Sequence, residues 1–152
     1  MLGVLAFLAG FFKHFEYFPE QIDLKRCLVM AGFSENEIEE ALSWLEPLKV
    51  AQPLETDAIS KSRSIRVYST IECKKMSVSI RGFIQFLERE GGITALQRET
   101  IINQLLSLPD QDITLHSAKL IGLMVLWPHK QALPALVREN LLSAIPIEQT
   151  LQ

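Results

Sequence analysis

The sequence predicts a mainly α-helical protein. An N-terminal helix-turn-helix with a small β-hairpin gives a winged-helix-like outline, and a C-terminal half of bundled helices follows. Three observations lead to this fold class. Apolar residues recur at intervals of three and four over several segments, which is the period of a helix face. Residues that cap helices stand where these segments begin. One short segment, residues 65–68, alternates instead with the period of a strand.

The first two helices are predicted from their apolar content and their ends. The first covers Leu2 to His14 and is expected to be buried on most sides. The second runs from Pro19, which suits the opening turn of a helix, to Ala31, and Gly32 is a natural stop. Its apolar surface is expected to come from Ile22, Leu24, Leu28 and Val29.

The third helix is the most fully specified element of the chain. Ser34 and Glu37 have the spacing of a capping box, in which each side chain bonds a backbone amide at the start of the helix. Pro47 is expected to end the helix, because the residue before a proline is pushed out of the helical region. The core-facing stripe between these ends consists of Ile38, Ala41, Leu42 and Leu45.

A small hairpin is predicted after the third helix. Ile65 and Val67 alternate with Arg66 and Tyr68, which is typical of a strand. A lone strand leaves its backbone hydrogen-bonding groups unpaired, so it requires a partner, and residues 48–52 are the nearest candidate.

The second half of the chain is predicted to be helical again. Its expected helix starts are Thr70, Ser77 or Ser79, Thr94 (with Gln97 in a capping box), and Asp112 or Thr114. The helix that runs to Trp127 is so broadly apolar that it should lie at the centre of this half. A last helix is expected from about Leu133 to Ile145. The predicted division is a subdomain of residues 1–69, a subdomain of residues 70–145 and a tail of residues 146–152, together forming one compact unit.

Four groups of residues form an ordered series along the chain. They are Ala41-Leu42-x-Trp44-Leu45-Glu46, Arg66-Val67-Tyr68-x-x-x-Glu72-Cys73, Arg81-Gly82-Phe83-x-x-Phe86-Leu87-Glu88 and Leu123-Met124-Val125-Leu126. In this order and at similar spacing they resemble the bacterial Smg family, over nearly the whole chain. The family is uncharacterised and offers no catalytic residues to carry over. Its genes tend to lie beside one for a DNA-processing protein, so the resemblance implies a link to nucleic-acid metabolism.

The sequence carries no recognisable catalytic, metal-binding or cofactor-binding motif. Cys27 and Cys73 have no histidine at a metal-ligand interval, and we expect free, buried thiols in a reducing compartment. GxSxG, SxxK and glycine-rich phosphate loops are absent. The apolar N-terminal run is shorter than the ~20 residues that span a bilayer and lacks a signal-peptide cleavage site. We therefore expect a cytoplasmic protein that is not an enzyme, does not bind a membrane and uses no metal or cofactor.

Charge is distributed unevenly along the chain, whose net charge is −3. Residues 1–57 hold four basic against ten acidic side chains, whereas residues 58–90 hold seven against three. The basic segment could form a nucleic-acid surface, with a tyrosine for stacking on bases. The alternative, which we prefer, is a solvated face that compensates the acidic third. The residues concerned are Lys61, Arg63, Arg66, Tyr68, Lys74, Lys75 and Arg81.

The third helix favours a protein partner over nucleic acid. The second helix of a helix-turn-helix normally enters the major groove, but this one is acidic and would be repelled by phosphates. Trp44 lies off the core stripe, where it could anchor a partner or cover another part of the protein. The candidate partner-binding residues are Glu35, Glu39, Glu40 and Trp44.

The N-terminal helix holds more aromatic residues than one apolar stripe can bury, which offers a face for self-association into a homo-oligomer. These residues are Phe7, Phe11, Phe12, Phe15 and Phe18. The leading hypothesis is a non-enzymatic protein-protein interaction module with an unidentified protein partner. The alternative is a nucleic-acid-associated accessory protein that uses the basic segment of residues 61–81.

Overall fold

The computed structural model describes residues 1–10, 21–50, 65–127 and 133–145. Within these ranges the protein is mainly α-helical, as predicted, with eight α-helices, one short 3₁₀-helix at Asp110–Asp112 and no β-strand. The α-helices are α1 Leu2–Ala9, α2 Gln21–Met30, α3 Glu35–Val50, α4 Thr70–Lys75, α5 Val78–Arg89, α6 Ala95–Leu106, α7 Leu115–Leu126 and α8 Ala135–Leu142.

Helix α7 lies at the centre of the fold. Every residue from Leu120 to Leu126 is buried, and the helix packs against α1, α3, α5, α6 and α8. A helix that is apolar on all sides must be surrounded by other elements, since any exposed face would leave apolar surface in water. The prediction of a central apolar helix is confirmed, and α7 organises helices from both ends of the chain.

Helix α1 is buried against α7 and α3. Val4, Leu5, Leu8 and Ala9 are buried, and Phe7 makes an edge-to-face contact with Phe33, with ring centroids 5.5 Å apart. The expectation that this segment is a mostly buried helix is confirmed over residues 2–9. Its predicted continuation to His14 lies outside the described residues.

The helix starts agree closely with the capping residues in the sequence. Ser34 and Glu37 bond each other's backbone amides, with distances of 3.0 Å from Ser34 N and 3.4 Å from Glu37 N. Thr94 with Gln97 forms a second capping box, and the side chains of Ser77 and Thr114 cap α5 and α7. One predicted start is displaced by a residue: Ser69 caps α4, rather than Thr70.

A tight turn joins α2 to α3 and sets them side by side. Gly32 has a φ of 91°, in the left-handed region that favours glycine. The amide of Phe33 bonds the carbonyl of Leu28, and that of Gly32 bonds the carbonyl of Val29. This is the Schellman pattern that ends a helix and satisfies its last carbonyls. The helix-turn-helix pair is therefore present.

The prediction that Pro47 ends the third helix is wrong, because α3 continues through it to Val50. A proline inside a helix removes one backbone hydrogen bond and crowds the carbonyl four residues earlier, which costs about 3 kcal/mol. Leu48 follows the proline and is buried in the core. Burial of Leu48 offsets part of this cost and keeps the last turn against the protein.

The predicted hairpin, and with it the winged-helix outline, is wrong for the described residues. Residues 48–50 belong to α3, and residues 65–69 have no ladder partner in the part of the chain that the structure describes. The alternation at 65–68 has another cause. Arg66 and Tyr68 face the protein, whereas Ile65 and Val67 are exposed, which is the reverse of a strand that covers a core with its apolar face.

Candidate partner-binding surface

The acidic residues of α3 lie on two flanks rather than on one face. Successive helix residues are about 100° apart, so residues four apart share a flank. Glu35 and Glu39 are therefore neighbours on the flank nearer α2, whereas Glu40 and Trp44 are neighbours on the other flank. All three glutamates are exposed. The four predicted residues form two pairs, not one site.

The flank with Glu40 and Trp44 is partly occupied by the protein itself. Trp44 is half-buried and packs against the core, and its indole Nε1 is buried without a hydrogen-bond partner among the described residues. The carboxylate of Glu40 lies 3.9 Å from the amino group of Met1. Trp44 thus covers the protein interior and does not project as a free anchor.

The outer face of α2 exposes three large apolar side chains. Sequence analysis did not indicate that they would lie at the surface. Ile22, Val29 and Met30 are 71%, 57% and 83% exposed. The buried residues of α2 are Leu24 and Leu28, on the opposite side. The signal was available, since Ile22 and Val29 share a helical face with Lys25 and Arg26, and charged neighbours indicate solvent.

A groove of about 340 Å³ runs between α2 and α3. Ile22 and Lys25 line it from α2, and Glu39, Leu42 and Ser43 line it from α3. Lys25 and Glu39 stand on opposite walls, and neither takes part in an ion pair among the described residues. The groove is therefore apolar in its floor and carries one unpaired charge of each sign.

Arg66, which sequence analysis placed in a candidate nucleic-acid surface, is held in an internal ion network. Its guanidinium donates to both oxygens of Glu72 at 2.8 Å and to both oxygens of Glu99 at 3.1 Å. Hydrogen bonds from Arg66 lower the pKa of Glu72 to about 2, and they also lower the pKa of Glu99. The two carboxylates in turn raise the pKa of Arg66. This arginine is saturated by carboxylates and positions residues 65–68 against α4 and α6.

The other members of the basic segment have separate surroundings. Tyr68 is half-buried with its ring 4.8 Å from the Arg66 guanidinium, and burial raises its pKa. Lys75 lies 3.5 Å from Asp110, whereas Lys74 is exposed. Arg81 is half-buried, with its Nε buried. Lys61 and Arg63 lie outside the described residues.

No group of three or more potential metal ligands occurs among the described residues. Both cysteines are free thiols, but the prediction that they are buried is wrong, because Cys27 is half-buried and Cys73 is exposed. Within the described ranges, none of the helices has the length and apolar character required to span a bilayer. Of the N-terminal aromatic residues, only Phe7 is described, and it is half-buried.

The fold and its groove define a class: a small, mainly helical protein whose candidate site is an open surface between two helices. A family model described as "Protein of unknown function (DUF494)" matches residues 1–149. The chain belongs to this family, the Smg family, as its ordered residue groups predict.

Curated relatives match along the entire chain. A "Protein Smg homolog" from Chromobacterium violaceum is 36% identical over 152 residues, which cover all of both chains. A protein of the same name from Azoarcus sp. is 38% identical over 95% of this chain and 94% of its own. One from Neisseria meningitidis is 34% identical over 97% and 96%. No solved structure was found to match the chain.

Proposed function

We propose that this Smg-family protein is a non-enzymatic protein-interaction module that binds its partner through the outer surface of α2 and α3. One observation carries the proposal. Exposed apolar side chains on α2 lie beside the flank of α3 that carries Glu35 and Glu39, and neither of these glutamates has an ion-pair partner among the described residues. Apolar surface rimmed by charge is the composition that marks binding surfaces on soluble proteins.

The apolar residues supply the driving force in this proposal. Full burial of a side chain such as Ile22 or Met30 is worth about 1.5–3 kcal/mol relative to its exposed state. Both are more than two-thirds exposed in the described structure, so most of that free energy is available to a partner. Two or three such contacts at the centre of an interface are enough to produce hot spots.

The charged residues supply selectivity. Glu35 and Glu39 lie on the groove flank of α3, and Asp23 is exposed on α2. The acidic flank of α3 favours basic groups of a partner, whereas the exposed Lys25 and Arg26 of α2 favour acidic groups. The expected partner is a protein surface with apolar residues and with basic residues where it faces α3, because a phosphate backbone would be repelled by Glu35 and Glu39.

The alternative role in nucleic-acid binding has less support. Phosphate binding requires basic groups that are free to neutralise charge. Arg66 is held by two carboxylates and Lys75 is near Asp110, which leaves Lys74 as the exposed lysine of the described part of this segment. We therefore do not put it forward as a second function.

The test is affinity purification of the tagged full chain at its native level, followed by quantitative mass spectrometry. The variant Ile22→Ser plus Glu39→Lys removes apolar contact and reverses one charge at the groove. We expect it to lose specific partners at least about tenfold, which corresponds to about 1.4 kcal/mol. Both positions are exposed, so the fold should be unaffected.

The matched control is Leu136→Ser plus Glu139→Lys on α8, which makes the same charge reversal and also replaces a branched aliphatic side chain with serine. Leu136 is 55% exposed and Glu139 is exposed. This variant should retain every partner of the natural chain. Equal recovery of partners by the two variants would contradict the proposal, provided that both show the natural circular dichroism spectrum and melting temperature.

A further inference from the structure

We propose that the occupant of the groove is an amphipathic helix with basic residues on one flank and acidic residues on the other. This inference rests on the function proposed above and names the chemistry of the partner. It predicts that the opposite charges on the two walls determine the direction in which the helix lies.

The apolar residues of the groove match one stripe of such a helix. Ile22 lines the groove from α2 and the buried Leu42 lines it from α3, and Val29 continues the face of Ile22 seven residues further along α2. A partner helix that presents apolar residues at positions i, i+3 or i+4, and i+7 contacts such a surface with a single face. Since α2 has ten residues, the helix is roughly 15 Å long, and about three turns of a partner helix that enters the groove can lie along its outer surface.

A helix suits the groove better than an extended peptide. Both walls are helices, whose backbone amides and carbonyls are bonded within the helix except at the ends and at the carbonyl of Ser43, which lies four residues before Pro47. An extended peptide would bury its own backbone groups there without partners, and each unpaired group costs about 1–3 kcal/mol. A helical occupant satisfies these groups internally and presents only side chains.

The two walls differ in charge. Lys25 projects from the α2 wall and Glu39 from the α3 wall, and no ion pair joins them. A partner helix with basic residues on one flank can place that flank along Glu39. Its acidic flank then meets Lys25. Reversing the helix would oppose like charges on both sides, so the pattern fixes one direction.

The test begins with a displayed library of 18-residue helices selected against the full chain. Each helix carries a leucine stripe and has randomised flanking positions. We expect the enriched sequences to carry basic residues on one flank and acidic residues on the other. Enrichment of helices with one sign on both flanks, or no enrichment, would overturn the inference.

Direction is tested with one enriched helix that carries a nitroxide at its N-terminus. In the natural chain the label should broaden the methyl signals near one end of α2, either Ile22 or Val29. In the charge-exchanged variant Lys25→Glu plus Glu39→Lys, the same helix should broaden the opposite end. Binding of the helix in an unchanged direction would contradict the role assigned to the two charges.

The two proposals fail separately. If Ile22→Ser plus Glu39→Lys releases natural partners but the library enriches no helix with oppositely charged flanks, the interaction surface stands and the helical occupant does not. If that variant keeps all natural partners, the proposed function itself fails, whatever the library shows.

Discussion

At the scale of single residues, Arg66 explains the alternation at residues 65–68. It points towards the protein because it binds Glu72 and Glu99, and not because residues 65–68 form a strand. Its guanidinium bridges Glu72, the third residue of α4, and Glu99 on α6. Arg98 extends the network by donating to Glu99 at 3.0 Å and to Glu88 at 2.6 Å. The charged residues near Tyr68 therefore stabilise the fold, and their spacing in the sequence did not indicate which of them would pair.

The ion pair between Arg66 and Glu72 makes the free energy of unfolding depend on pH in the acid range. The folded-state pKa of Glu72 is about 2, below the ordinary value of 4.5, so its contribution is complete above 4.5 and is lost as the pH falls towards 2. Glu72→Gln removes the charge but keeps an acceptor for the amide of Ser69, which isolates the ion pair from the cap. At neutral pH we expect it to lower the free energy of unfolding by about 1–2 kcal/mol.

The measurement is urea unfolding of both proteins from neutral pH to about 2. The difference between them should shrink below pH 4.5 and disappear near the lower limit. Glu139→Gln, at an exposed residue of α8, serves as the control and should match the natural chain throughout. A difference that stays constant across the acid range would rule out the ion pair as its source.

Two glycines provide a paired prediction with opposite signs. A β-carbon at Gly92 would lie 2.9 Å from Val137 Cγ1 and 3.2 Å from the Leu87 carbonyl oxygen, whereas one at Gly82 meets nothing within 4 Å. Gly92→Ala should therefore lower the free energy of unfolding by about 1–3 kcal/mol through overpacking. Gly82→Ala, inside α5, should raise it by about 0.5–1 kcal/mol because alanine restricts the unfolded chain. Denaturant unfolding of both variants compares these values, and changes of the same sign would be inconsistent with the packing described.

At the scale of secondary-structure elements, most helices could be predicted and two features could not. Capping residues and apolar periodicity gave the starts of α3, α5, α6 and α7, because these signals are local. Pro47 misled because its conformational cost is local, whereas the burial of Leu48 that offsets it is tertiary. The alternation at residues 65–68 led to the wrong prediction of a strand, because alternation indicates two faces of a segment but not which face is buried.

Pro47 also makes α3 a site where stability can be increased. Pro47→Ala restores an amide that can bond the carbonyl of Ser43, and the position is exposed, so no packing is lost. We expect the free energy of unfolding to rise by about 1–3 kcal/mol. Ser43→Ala, on the same helix, should change it by only about 0.5 kcal/mol. Thermal melts of both variants provide the comparison, and a loss of stability in Pro47→Ala would show that the proline is required for the path of the chain.

The candidate site was predicted only in part, because the exposed faces of α2 and α3 depend on how these helices pack. The acidity of α3 was evident from the sequence, but Glu40 and Trp44 lie on a different flank from Glu35 and Glu39. Sequence analysis grouped Ile22 and Val29 with Leu24 and Leu28 as one apolar surface, whereas only Leu24 and Leu28 are buried. Which apolar face of a short helix is buried depends on its neighbours, and these are known only from the fold.

At the scale of the whole molecule, one continuous core draws on seven of the eight described helices, all except α4. Helix α7 contacts α1 and α3 from the N-terminal third as well as α5, α6 and α8. Elements that share one core are expected to unfold together. The division into residues 1–69 and 70–145 stays a prediction. Because the two parts share one core, we expect them to unfold in a single cooperative transition.

Each half contains one tryptophan that can report on its unfolding. Trp44→Phe leaves Trp127 in the core at the end of α7, and Trp127→Phe leaves Trp44 on α3. In each variant we expect the fluorescence midpoint in urea to coincide with the midpoint from circular dichroism. A fluorescence midpoint that precedes or follows the loss of helix in either protein would reveal separate unfolding units.

The packing of α1 on α7 has a consequence for synthesis of the chain. Helix α1 is the most apolar of the described helices, and residues 10–114 separate it from the helix that buries it. At a translation rate of about 5–20 residues per second, this interval takes roughly 5–20 s. During that time α3 can cover one part of α1, but the face of α1 that packs on α7 has no native partner. The face of α1 that packs on α7 is therefore buried late in synthesis, and we expect it to need transient protection from aggregation until α7 emerges.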